Sequence, residues 1–186
     1  MFEQAYRRMA FVNRWSIART LNTQNIAEHS YFVSIYTDQI CIMMGYRPEF
    51  RAECILVALY HDRDEIFSGD IPGPFKREVV DPTKYHGMNV NLAVSTFKTI
   101  APRFSDQHKD VVKCADLIDE VFFLNNEIRM GNSWVGNFQE SSWERLIGAV
   151  GNLQGDDERK QKILDTVRKQ LAGTDKVMRN SDDLES

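Results

Sequence analysis

Cysteine is scarce in this chain, with three in 186 residues (Cys41, Cys54 and Cys114), an odd number without a C-x-x-C pair. On that count free thiols in a reducing compartment fit better than a disulfide framework or a thiolate-bound zinc. Long apolar runs are absent: no stretch approaches the roughly 18 uncharged residues of a membrane span. The opening MFEQAYRRMA carries an early Glu and no apolar segment, so no secretory leader is expected. Positive charge is not in excess either. Lys and Arg total 23 against 27 Asp and Glu, for a net charge of -4, which excludes a chain-wide basic footprint for nucleic acid. No repeat, low-complexity block or linker rich in Gly, Ser or Pro divides the sequence. What is present is ordinary for a globular protein: 42% hydrophobic and 27% charged residues. The expectation is one slightly acidic cytoplasmic domain with neither a nucleic-acid nor a membrane partner.

The periodicity is helical nearly throughout, and the fold class expected is all-α, with about seven helices. Phe2, Tyr6, Met9 and Val12 suggest a first amphipathic helix, and 13–24 reads as a polar connection. Asn25 and Glu28 have capping-box spacing ahead of an apolar segment closed by Gly45. Pro48 suits the first turn of the next helix, in which Ala52, Ile55, Leu56 and Leu59 form the expected buried stripe leading to His61 and Asp62. Gly69, Pro72, Gly73 and Pro74 mark a loop. Further helices are expected over 88–99, after Ser105 or Asp106, around Trp143–Val150, and through Ile163–Leu171. The division expected is a domain over 1–173 and a polar, frayed tail over 174–186.

Three segments combine chemistry with apolar helical surroundings: IAEHSYF at His29, YHDRDE at His61, and KCADLID at Asp116. Polar groups carried into a core must be paired, at a cost of several kcal/mol each if they are not (roughly 2–7 on transfer scales). Two imidazoles (His29, His61) and two carboxylates (Asp62, Asp116) arriving from three helices would satisfy one another around one divalent cation. Two nitrogens with two anionic oxygens suit Mn²⁺, Co²⁺, Fe²⁺, Ni²⁺ or Zn²⁺ better than Ca²⁺, with Mg²⁺ also admissible. Glu65 follows His61 by four residues and shares its face if the helix persists, and Asp70 follows Gly69 in the loop. Two carboxylates in unlike surroundings can divide base and acid roles.

The order His29, His61-Asp62, Asp116 resembles the HD-domain superfamily of metal-dependent phosphohydrolases. NRWSIAR (13–19), NIAEHS (25–30), ALYHDRDEIFSGDIPGPFK (58–76) and VVKCAD (111–116) resemble its compact bacterial 5′-deoxynucleotidases and their phage relatives, the dATP triphosphohydrolases. The similarity spans about residues 8 to 130. It implies a single-domain helical bundle with His29, His61, Asp62 and Asp116 on the metal and Glu65 and Asp70 as catalytic carboxylates. It further implies that Arg14 and Lys76 hold phosphate, that Trp15 packs on sugar or base, and that Ile17 can line the base pocket. The implied substrate is a small deoxynucleotide, cleaved at its 5′ phosphoester. Ile17 tips the expectation towards a dATP triphosphohydrolase, with a 5′-deoxynucleotidase as the alternative and a silent nucleotide-binding module as the reading of another class. A phage-encoded chain would act in the host cytoplasm.

The remaining candidates read as structural. By its residue type alone Ile17 suits a core. His86 and His108 are expected to face water, and the three Cys to fill the core. Asp119 and Glu120 read as surface charges, Asp119 alternatively as a support behind the metal ligands. Trp134 and Trp143 read as packing or subunit contacts. The late aromatic residues (with Phe138) favour a homo-oligomer.

Overall fold

Asn25 starts the first long helix for the reason its spacing suggests: its side chain accepts the Glu28 N–H at 3.0 Å, and Glu28 accepts the Asn25 N–H at 3.1 Å. These bonds satisfy two of the orphan donors at a helix start. The computed structural model describes residues 4–72 and 104–181, with side chains over 6–72 and 104–173. In these spans a 3₁₀ helix, Gln4–Phe11, is followed by α1 (Ile26–Met44), α2 (Pro48–Tyr60), the short α3 (Glu65–Ser68), α4 (Asp106–Arg129), a second 3₁₀ turn (Ser133–Val135), α5 (Gly136–Asn152) and α6 (Asp157–Ser181). Among the described residues no strand forms. A single antiparallel bridge joins Asn13 to Asn25. The all-α expectation therefore holds. Lys76, His86 and the helix expected over 88–99 lie outside the described residues.

α4 is the axis of the bundle. It packs against α1, α2, α5 and α6, and it buries Val111, Val112, Cys114, Ala115, Leu117, Ile118, Val121 and Leu124. A helix buried over most of its circumference is a central one. α1 contributes Val33, Ile40, Cys41 and Met44, α5 Leu146 and Val150, and α6 Ile163, Leu164 and Val167. Gly45 ends α1 at φ 71°, and a Cβ there would collide with Arg159, whose guanidinium caps the Met44 carbonyl. Cys41, Cys54 and Cys114 are free and buried, and burial pushes the Cys114 thiol up to about 12. All three fill the core as expected.

Several expectations need correction. The buried face of α2 is carried by Cys54 and Ala58, with Phe50 and Val57 half-buried beside them; Ala52 and Leu59 are exposed. Positions 50, 54, 57, 58 and 61 have helical spacing too, and this stripe includes His61 itself. The first segment winds as 3₁₀ rather than α, and buries Met9. α6 continues past Gly173 to Ser181, because one helical Gly costs only about 1 kcal/mol. His108 is 4% exposed. Its ring packs on Phe50 and Phe104, with Nδ1 accepting the Ser105 N–H and Nε2 beside Glu53. It completes the N-terminal cap of α4 and does not face water. Trp134 is 75% exposed and stands outside the core formed by the described residues, whereas Trp143 packs against that core under Arg168.

The connection 12–25 is fixed by a group that sequence reading passed over. Glu127, fully buried on α4, accepts the Leu21 N–H at 2.6 Å, the Asn22 N–H at 2.8 Å and the Asn132 side-chain amide at 2.7 Å. Burial opposes its charge, but these donors outweigh it and hold the carboxyl below its ordinary 4.5. Glu127→Leu is expected to destabilise the fold by about 3 kcal/mol, since buried donors lose their acceptor. Because the folded value is depressed, the contribution of Glu127 is complete above pH 4.5 and is lost as pH falls through the folded value. Wild type and Glu127→Gln should converge in acid, as checked by urea denaturation at pH 7 and pH 3.5.

Candidate active site

Three helices bring the site together. His29 lies on the buried face of α1, His61 and Asp62 directly follow α2, and Asp116 sits on α4. His29 is fully buried. Its Nδ1 lies 2.6 Å from the Asp119 carboxylate, and the His61 Nδ1 lies 2.7 Å from the Ala58 carbonyl. Carboxylate and carbonyl oxygens only accept, so both Nδ1 atoms donate and both Nε2 atoms carry the lone pair. Those two Nε2 atoms face each other at 3.1 Å. Asp116 Oδ1 lies 3.4 Å from the His29 Nε2. Asp62 Oδ2 lies 3.5 Å from the His29 Nε2 and 3.2 Å from the His61 Nε2.

Lone pairs and anions gathered this closely repel unless a cation lies among them, and the donor set fits one. His29, His61 and Asp116 each offer a ligand atom within 4.8 Å of the others, and Asp62 borders both imidazoles. The same negative potential acts on protons. Burial lowers the His61 pKa, but Asp62 and Asp116 outweigh it and raise it overall. Burial favours the neutral acid of Asp62 and Asp116, yet their neighbours outweigh it: the His61 and His29 imidazoles at Asp62, and Lys113, His29 and Arg14 at Asp116. Both carboxyls stay well below the ordinary range. Asp119 is 4% exposed, which rules out the surface-charge reading and leaves the support role, since it holds the His29 ring.

The other predicted residues border this cluster. Arg14, Trp15, Ile17, Glu65 and Asp70 line one cavity of about 370 Å³ with Asp62 and Asp116. Glu65 is 4% exposed, and the Asp70 carboxylate accepts the Ser16 N–H at 3.3 Å. Ile17 is 60% exposed on the cavity wall, so it is not a core residue. Arg14 stands beside the His29 ring, 3.7 Å from Asp116 and 3.6 Å from Asp119. Its guanidinium is thus anchored on the Asp116 and Asp119 carboxylates. Trp15 takes a φ of 69°, a strained conformation for an aromatic residue, of the order of 1–3 kcal/mol. Its ring stacks on Phe123 with centroids 5.1 Å apart and planes at 9°.

Sequence reasoning missed two basic side chains on the cavity wall. Lys113 contacts Asp116 at 2.6 Å, and Arg145 on α5 pairs with Glu120, which also accepts from Ser142. Lys113 precedes Asp116 by one helical turn, a spacing readable as same-face. The approach of α5 carried no local signal. Glu120 is half-buried in that pairing and is not a simple surface charge.

Comparison with known proteins places this geometry. Residues 1–98 match the family described as 5′-deoxynucleotidase YfbR-like. The 5′-deoxynucleotidase PM0747 of Pasteurella multocida is 31% identical over 142 residues, covering 67% of this chain and 73% of that protein. The dATP triphosphohydrolase of Acinetobacter phage SH-Ab 15497 is 30% identical over 131 residues, 61% of this chain and 62% of that one. In structure, the chain resembles the cyanophage S-2L HD phosphohydrolase DatZ, solved with dA and one catalytic Zn²⁺, at a TM-score of 0.73 and 20% identity over 93% of this chain and 98% of that one. The family match over more than half of the chain and the Pasteurella relative establish that the chain belongs to the YfbR-like 5′-deoxynucleotidase family of phosphoric ester hydrolases, with the fold of HD phosphohydrolases.

Proposed function

We propose that this hydrolase removes orthophosphate from deoxynucleoside 5′-monophosphates with the help of one divalent transition metal. The carrying observation is that His29, His61 and Asp116 converge, and that Asp116 and Asp62 of this cluster line a cavity together with the carboxylates Glu65 and Asp70 and with Trp15. His29, His61, Asp62 and Asp116 would hold the cation. When bound, it supplies Lewis acidity, polarising a phosphoryl oxygen and making nearby water more acidic. Glu65 takes the proton of the water that attacks phosphorus, and Asp70 returns one to the leaving 5′ oxygen as the P–O5′ bond breaks. Arg14 and Lys113 offset phosphate charge that would otherwise repel the nucleophile, and the resemblance gives Lys76 the same task. Trp15 presents its ring to the nucleoside.

The monophosphate reading displaces the sequence expectation of a dATP triphosphohydrolase as the main one. It is supported by the family description and by the Pasteurella relative. The triphosphate reading keeps a specific support in the phage relative and in Ile17 on the cavity wall. Incubation with dAMP and dATP separately, with Mn²⁺ or Co²⁺, separates the two by chromatography. Orthophosphate and deoxyadenosine from dAMP, with dATP intact, is the expected outcome; tripolyphosphate from dATP reverses the assignment.

Two further outcomes are expected. His29→Ala and Asp116→Ala, like treatment with a chelator, should abolish turnover, and Mn²⁺ should restore only the chelated wild type. Glu65→Gln should lower kcat by about 10²–10⁴-fold while metal content, read by plasma emission, stays at one per chain.

A further inference from the structure

Gln24 has no task in the reaction just described, yet it is 6% exposed and uses both ends of its carboxamide. The indole Nε1–H of Trp15 donates to Gln24 Oε1 at 3.2 Å. Gln24 Nε2 donates to Asp119 Oδ2 at 2.8 Å. That same oxygen lies 2.6 Å from the Nδ1 of His29. The main chain adds a third tie, since the Gln24 carbonyl accepts the Arg14 N–H at 2.8 Å. A carboxamide accepts and donates at once, whereas a carboxylate in its place would set two acceptors against each other. We infer that Gln24 is a positioning residue that locks the ring of Trp15 in the plane a nucleoside meets and ties that ring, through Asp119, to the metal-site imidazole of His29.

The inference rests on the reading that Trp15 meets the substrate, and it extends that reading to a residue one layer behind. Trp15 needs such a lock. Its backbone sits at φ 69°, and its ring lies between a stack on Phe123 and the Arg14 guanidinium, 5.7 Å from the ring centroid. Without the indole–amide bond the ring can turn about its side-chain torsions while remaining against Phe123. Loss of ring orientation weakens ground-state and transition-state binding alike, so it raises KM and leaves kcat nearly unchanged. Loss of the amide from Asp119 loosens the His29 ring, so it weakens metal binding.

The test measures KM and kcat for dAMP, and Mn²⁺ affinity by calorimetry, in wild type, Gln24→Leu, Trp15→Phe and the double variant. Gln24→Leu is expected to raise KM about three- to ten-fold, the range of one net hydrogen bond, with kcat within two-fold. At saturating Mn²⁺ the KM of the double variant should match that of Trp15→Phe alone, because both changes delete the same indole–amide bond. Gln24→Leu should also weaken Mn²⁺ binding by about three-fold or more, an effect Trp15→Phe does not share. Additive KM effects, or unchanged KM and Mn²⁺ affinity in folded Gln24→Leu, overturn the proposal. If Gln24→Leu loses its helical circular dichroism, Trp15→Phe carries the test, and an unchanged KM there overturns it. Trp15→Ala separates the two readings. An unchanged KM in that variant removes the platform reading alone, and the Gln24 link is then decided by the Mn²⁺ affinity of Gln24→Leu.

Discussion

Imidazoles and carboxylates can meet at the junction of three apolar helices only if nearly every buried polar atom finds a partner, and that requirement organises this molecule. Asp119 is the hub. It lies within a helical core and receives His29, Gln24 and, at longer range, Arg14. The bond to His29 fixes which ring nitrogen carries the proton, and so turns the other towards the cluster of His61, Asp62 and Asp116. Removal of the partner would leave buried charge uncompensated, which costs more than the pair contributes when intact.

A second consequence is that the connection between the 3₁₀ helix and α1 is not free to vary as a surface loop would be. Glu127 binds its middle by two main-chain N–H groups, and the Asn13–Asn25 bridge closes its ends. The strained Trp15 is held inside that frame. Strain at a functional side chain is tolerable where the surroundings over-determine it, and here a stack, an amide and a main-chain bridge all do.

Much of this was legible in the sequence because local physics dictated it. Asn25 with Glu28, Gly45, Pro48 and Ser105 act through bonds a few residues long, and each cap forms as its spacing implies. The convergence of His29, His61, Asp62 and Asp116 was legible because His and Asp on apolar helical faces need partners, and the surrounding motifs resemble those of one superfamily. Other features depend on which helix lies opposite. Whether Ala52 or Cys54 faces the core is decided by α4, not by α2, since both registers have helical spacing. His108 and, in one of its two readings, Asp119 read as surface groups, and Glu127 drew no reading, because a charged or polar residue gives no sign of its distant partner; Glu53, Gln24 and Leu21 lie far away in sequence. Lys113 was within reach of the same helical arithmetic that finds Asp116. Arg145 was not, because its place depends on the approach of α5.

Along α4, Lys113, Asp116, Glu120, Phe123 and Glu127 recur at three- and four-residue intervals on one side, touching in turn the histidine–aspartate cluster, the cavity wall, the indole and the 12–25 connection. One added or deleted residue within this helix would rotate all that follows by about 100°. Every one of those engagements beyond the change would be lost together. Descent with modification can therefore retune this enzyme by exchanging side chains along α4 but not by changing its length, and divergence in chain length should be displaced to the turns that flank it.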